Sequence, residues 1–273
     1  MKTWVTMIVG LLLIGLGVSL SGCSKQEDGK MFADYQQKGH MIVGLDDSFV
    51  PMGFRDDQGN LSGFDIDLAK AVSKELGIKI EFQPIDWSMK ETELKNETID
   101  AIWNGYTITK ERQENVLFSQ TYLKNEQVIV TLKKNKLKSV NDFSGKVIGL
   151  QEGSSGEEAF NNNPTLLKDF VKDQDAISYP AYTEAFLDLE AGRIDGLLID
   201  KIFADYYLAQ IENKGSFDSL PTEFPEEDYA IGFRKSEKEL VSKVNEALTK
   251  VINSDEGIAI SQKWFGENRL VSK

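Results

Sequence analysis

Residues 93–105 read ELKNETIDAIWNG, and residues 188–200 read DLEAGRIDGLLID. Each passes from a helix end through a turn to Ile-Asp, a small residue and an apolar run. The runs, Ile99–Trp103 and Ile194–Ile199, have the composition of buried strands, and each ends in a polar residue, Asn104 or Asp200. The repeat predicts two lobes built alike, each presenting polar residues at the carboxyl ends of its strands, where open α/β sheets take ligands. The echo is short, so chance similarity stands as the alternative.

The flanking sequence extends the same alternation. His40–Asp46, Ile78–Phe82, Val128–Leu132, Lys146–Leu150, Ala176–Tyr179 and Tyr229–Phe233 read as strands. Asp65 starts a helix with apolar residues at Ile66, Leu68, Ala69, Val72 and Leu76, stopped by Gly77. Further helices are expected over 88–97, from Thr109, from Glu157, over Thr183–Ala191, from Asp200 to Ile211, and over Lys238–Ile252 and Gly257–Trp264. Strands alternating with helices predict mostly parallel α/β sheets.

Composition narrows the chemistry. The chain has 273 residues, 41% hydrophobic and 27% charged, with net charge −13. No basic block offers the positive footprint that nucleic acid requires. The single histidine, His40, excludes multi-histidine metal sites, and the single cysteine, Cys23, excludes Cys₄ zinc sites and intrachain disulfides. No cofactor and no metal are expected.

Lys2 is the only charge before Cys23, and the apolar stretch from Trp4 to Leu20 is too short and too small-flanked for a spanning helix. Leu20-Ser21-Gly22-Cys23 resembles the lipobox of bacterial lipoproteins. That predicts a signal peptide over 1–22 and an acylated Cys23, followed by a polar tether to residue 39. An ordinary signal peptide is the alternative.

WNGYTITKER (103–112) places backbone donors, hydroxyls and a guanidinium at the mouth of one strand. Thr109 is suited to cap the next helix, and Arg112 to hold both oxygens of a carboxylate. Gly153-Ser154-Ser155-Gly156 is a second small-residue loop before a helix, open to close approach by an anion. Asp200 ends a strand and starts a helix. By residues alone, Arg112 as a surface charge, the Gly153–Gly156 loop as a plain connection and Asp200 as a helix cap are equally open. Asp65 and Asp67 read as helix N-terminal caps, and Lys133, Lys134, Lys136 and Lys138 as a solvated loop.

Taken together, VGLDDSFVPMGF (43–54), GFDIDLAKAV (63–72), IDAIWNGYTITKER (99–112), GKVIGLQEGSSG (145–156), AGRIDGLLID (191–200) and QKWFG (262–266) resemble the family 3 extracellular solute-binding proteins of bacterial polar-amino-acid ABC importers. The resemblance implies a two-lobed type II periplasmic-binding-protein fold with two crossover strands at the hinge. Lobe 1 is expected over 40–122 plus 229–273 and lobe 2 over 127–223, with the hinge near 122–126 and 224–228. It implies that Arg112, Thr107, Ser154 and Ser155 hold a ligand carboxylate. The Gly105 carbonyl and Asp200 would then take its ammonium, and Phe49 and Trp87 sandwich its side chain. Asp46, and more weakly Asp47, Asp86 and Glu152, lie on the same rim. Asn104 and Tyr106 depart from the small or aliphatic residues usual there and bear on pocket depth.

A guanidinium between two rings with a carboxylate at its tip combines cation–π contact with a charge-assisted hydrogen bond. Arginine is therefore favoured, then lysine or ornithine, then glutamine or cystine. The expected partners are a membrane permease and, through the lipid, the membrane; the protein is expected to be a monomer and not an enzyme. A dehydratase-like enzyme and a ligand-sensing module are the alternatives on the same fold.

Overall fold

The computed structural model describes residues 30–212 and 214–271. The expected signal peptide, Cys23 and the start of the tether lie outside the described residues. No described helix is long and apolar enough to cross a membrane.

Two five-stranded sheets carry the fold. The first runs in the order Lys79–Pro84, His40–Leu45, Ala101–Ile102, Gly232–Arg234, Val116–Phe118. The second runs Ala176–Tyr179, Ile148–Gln151, Gly196–Asp200, Gln127–Leu132, Phe217–Pro221. In each sheet the first three strands are parallel and the fourth joins antiparallel. Ala101–Ile102 and Gly196–Asp200 hold the same third place, so the two echoed segments are structural counterparts. The sheets are less parallel than the alternation implied. In each sheet the fourth strand, reached by a passage between the sheets, runs against both neighbours, while the fifth follows a helix, Lys110–Asn115 or Lys201–Gln210.

The chain leaves the first sheet after Phe118 and returns to it at Gly232. It passes between sheets through Leu123–Asn125 and Glu227–Tyr229, which pair antiparallel with Asn125 opposite Glu227. The expected strand Tyr229–Phe233 is therefore two strands in two sheets. At the break, Ala230 N–H donates to Tyr106 O, and Ile231 N–H donates to Ser119 Oγ. Val140–Phe143 is a 3₁₀ turn.

The helix Phe64–Leu76 forms as its apolar spacing predicts and ends at Gly77 in the left-handed region, φ 66°. Its buried Leu68, Ala69 and Val72 face the helix Lys238–Ile252, which buries Leu240, Val244, Leu248 and Val251. Each such Leu or Val adds roughly 1.5–3 kcal/mol over its exposed state. The end of the expected tether is not free. Phe32–Lys38 is a helix whose buried Tyr35 donates to Glu237 Oε1 at 2.8 Å, beside the Arg234–Asp100 ion pair.

Asp65 and Asp67 do not cap their helix, because its N-cap is Gly63 and neither carboxylate bonds back to it. Asp67 instead receives Lys263 Nζ at 2.6 Å and Trp264 Nε1 at 2.9 Å. Asp65 turns into the core, where Gly105 N–H at 2.7 Å and Tyr122 O–H at 3.0 Å donate to its Oδ2. It thus pins the loop after Trp103 from beneath.

Burial pushes the Asp65 carboxyl up to about 7, against the opposing pull of those hydrogen bonds. A folded-state value above the unfolded one means the native state holds the proton more tightly. The carboxyl's contribution to stability is complete below about pH 4 and lost as pH rises through about 7. Asp65→Asn cannot titrate. Urea denaturation should show wild type losing stability relative to this variant by roughly 1 kcal/mol per pH unit between about pH 4 and 7. Parallel profiles would contradict the assignment.

Candidate functional site

The first sheet ends its short strand Ala101–Ile102 at Trp103, and the chain then turns through Asn104-Gly105. Gly105 is left-handed, φ 58°, and a Cβ there would lie 3.0 Å from both Phe49 Cε1 and Tyr229 Cε2. The turn sends Tyr106 inward and leads to Thr109, whose Oγ1 accepts from Arg112 N–H at 3.1 Å and caps Lys110–Asn115.

That cap orients Arg112, which is 4% exposed. Its Nη1 donates to Thr107 O and its Nη2 to Gly153 O, both at 3.1 Å. The guanidinium lies 4.7 Å over the Tyr106 ring, whose hydroxyl donates to Glu91. Nε sits 2.6 Å from Glu158 Oε1, as an ion pair without hydrogen-bond alignment. Gly153 and Glu158 belong to the second lobe, so Arg112 bridges the two.

In the second lobe, Ser154 Oγ caps the helix Ser155–Asn162 by accepting from Glu157 N–H at 3.0 Å. Thr107 Oγ1 donates to Ser155 Oγ at 3.1 Å across the interface. Asp200 ends its strand buried, and its side chain makes no cap to the helix it precedes. Four donors hold it instead: Tyr229 O–H at 2.6 Å, Asn125 Nδ2 at 2.7 Å, Tyr182 O–H at 3.0 Å and Gln127 Nε2 at 3.2 Å. Burial still raises its carboxyl above the usual range.

These groups surround one small cavity between the lobes. Phe49, Trp87, Asn104, Gly105, Arg112, Ser154, Ser155 and Asp200 all line it, as does Gln151. Thr107 stands directly behind Ser155. The Phe49 ring also meets Phe203 at 5.4 Å and Tyr182 at 6.0 Å, while Trp87 stands edge-on to Tyr106 at 5.9 Å.

Asp46 and Glu152 are placed differently from the rest. Glu152 is exposed and outside the lining, because the strand Ile148–Gln151 ends one residue earlier and turns it to solvent. Asp46 lies behind the lining. Its Oδ1 accepts from Ser48 N–H and O–H, and its Oδ2 from Gln151 Nε2 at 2.8 Å. Gln151 Nε2 also donates to Pro180 O at 3.0 Å. Both amide hydrogens of Gln151 are thus engaged, and the cavity meets an amide whose remaining capacity is to accept. Asn104 Oδ1 accepts from Asp46 N–H at 3.0 Å.

Sequence reading missed Gln151, Asn125, Gln127, Glu227, Tyr182 and Tyr229. Gln151 had a signal, since it is the last residue of its strand and the strand-end rule points to it. The others come from the crossover strands, the start of the sheet strand Gln127–Leu132 and the helix Tyr182–Glu190, and come together around Asp200 only in three dimensions.

Residues 41–267 match the model of the bacterial extracellular solute-binding proteins, family 3. The chain belongs to that family. A substrate-binding protein of an ABC uptake transporter from Streptococcus pneumoniae, solved with bound histidine, is 45% identical to this solute-binding protein. The match covers 88% of this chain and 98% of that one, with TM-score 0.85. An ancestral arginine-binding protein bound to arginine is 38% identical over 84% of this chain and 99% of its own, with TM-score 0.77. The arginine-binding extracellular protein ArtP of Bacillus subtilis is 29% identical over 97% of this chain and 98% of its own length.

Because Gly105 is left-handed and crowded by two rings bordering the cavity, Gly105→Ala should cost about 1–3 kcal/mol of unfolding free energy. It should also weaken ligand binding at least tenfold. Chemical denaturation and calorimetry on one preparation check both; an unchanged affinity would show that the turn does not shape the cavity.

Proposed function

We propose that this solute-binding protein captures a polar L-amino acid between its lobes and delivers it to an ABC permease. The reading rests on one observation: a buried guanidinium from one lobe and a buried carboxylate from the other line the same cavity. A free amino acid carries the complementary pair. In this reading Arg112, with Thr107, Ser154 and Ser155, takes the α-carboxylate. Asp200 and the Gly105 carbonyl take the α-ammonium, and Phe49 and Trp87 flank the side chain.

Lobe 1 is residues 40–122 plus 229–273, lobe 2 is 127–223, and the crossover strands form the hinge. Cys23 carries the lipid that holds the monomer to the outer face of the cell membrane.

The far end of the cavity favours a planar side chain that donates hydrogen bonds. Gln151, locked by Asp46 and Pro180, offers an acceptor backed by a carboxylate, and the two rings suit a flat cation. Arginine fits best. The histidine-bound relative supports imidazole as a second reading, since its N–H would meet the same acceptor.

A thermal-shift screen of the twenty amino acids with ornithine and cystine tests the proposal. A ligand at about 100 times its dissociation constant adds roughly 2.7 kcal/mol. Arginine should give the largest shift and histidine a smaller one, and Arg112→Ala should remove both. No shift with any amino acid would overturn the reading.

A further inference from the structure

Glu227 lies on the returning crossover strand, 8% exposed and within the group that holds Asp200. Its Oε2 accepts from Asn125 Nδ2 at 2.7 Å and from Gln127 Nε2 at 3.1 Å, and Thr107 Oγ1, whose hydrogen goes to Ser155, lies 3.3 Å away. Asn125 Nδ2 gives its other hydrogen to Asp200 at 2.7 Å, and Gln127 Nε2 also reaches Asp200. Two buried carboxylates thus divide the donors of two amides.

Among the described residues, no Lys or Arg forms an ion pair with either carboxylate. Arg112 acts on them from a distance, while its Nε faces Glu158. The other titratable groups facing the pair are Tyr229 on the same strand and Tyr182 on the helix Tyr182–Glu190, both un-ionised because burial raises them. Lys201, on the helix that follows Asp200, is turned to Asp205. Two like charges in so dry a place are costly, and one proton removes most of the cost. A ligand ammonium on Asp200 would remove it equally well.

We propose that Glu227 exchanges a proton for the ligand's ammonium, so that amino-acid capture releases a proton and strengthens as pH rises. The inference rests on the amino-acid reading above and adds a positioning residue outside the cavity lining, on a hinge strand. Burial and then the Asp200 charge push the Glu227 carboxyl up to about 7. A cation on Asp200 lowers it, so the complex favours the deprotonated form. Affinity is complete above about pH 7 and is lost as pH falls below it, by about tenfold per pH unit.

The test is titration calorimetry between pH 5 and 8 with L-arginine and L-glutamine, whose own charges are nearly constant over that range. Paired buffers that hold each pH and differ in ionisation enthalpy, phosphate and imidazole near pH 6 and phosphate and Tris near pH 8, report the protons released. Wild type should release close to one proton per ligand at pH 6 and little at pH 8. Glu227→Gln, which resembles the protonated form, should release none and bind with a weaker, nearly flat pH profile. A proton count near zero in wild type at pH 6, with either amino acid bound, would overturn the exchange. So would a pH profile of Glu227→Gln parallel to wild type. No heat with either ligand and no stabilisation in the amino-acid screen would overturn the capture reading, and this inference with it.

Discussion

A cation and an anion, each withdrawn from water and each supplied by a different lobe, set the terms for the rest of this structure. A buried charge is stable only where hydrogen bonds or an opposite charge replace its hydration. Arg112 meets that demand with two carbonyls, an aromatic face and Glu158. Asp200 meets it with two tyrosine hydroxyls and two amides. Much of the surrounding architecture supports these two groups. The Thr109 cap and the Asp65-pinned turn aim the first. The end of a central strand and the paired crossover strands hold the second.

The same groups tie the site to the relation between lobes. Lys90 Nζ and Arg112 Nη2 both reach Gly153 O, Thr107 meets Ser155, and Gln151 meets Asp46. Near the Asp67–Lys263 pair, Phe54 and Trp264 from one lobe pack with Tyr206 from the other. Every one of these contacts depends on the lobes being together. A ligand that adds contacts to both sides shifts the balance toward this arrangement by its differential affinity for it. Asn125 and Glu227 sit opposite each other on the crossover strands, and Asn125 donates to both Glu227 and Asp200, so the crossover strands and the cavity share a hydrogen-bond network.

Fold and site were legible in the sequence to different depths. Periodicity identified the long helices and the central strands because those elements bury one face and carry the 3.6- or 2-residue pattern plainly. The edge strands Val116–Phe118 and Phe217–Pro221 are short and half covered, and they were missed. Tyr229–Phe233 looked continuous because an apolar run does not reveal that its ends belong to different sheets.

Site residues on strand ends and at helix starts could be read from turn chemistry and from the family resemblance. Asp65 could not, because acid at a helix start is the pattern of a cap, and only the packing shows its carboxyl turned inward to Gly105 and Tyr122. Asp46 looked like a direct contact to a ligand side chain, yet Ser48 and Gln151 occupy its oxygens. Glu227 carried no local signal at all, since its role depends on a partner on another strand.

The most direct test of the two-sided clasp is to remove one end of the ligand at a time. Calorimetry with L-arginine, its α-amide, its decarboxylated amine and N-acetyl-arginine separates the carboxylate from the ammonium while leaving the side chain unchanged. Each hydrogen-bonded charge taken from a buried partner should cost about 3 kcal/mol or more, a loss beyond 100-fold. The account predicts such a loss for the amide and for the amine, both missing the carboxylate charge that Arg112 awaits. N-acetyl-arginine, which lacks the ammonium that Asp200 awaits, should fail equally. Binding of any of the three within tenfold of arginine itself would contradict it.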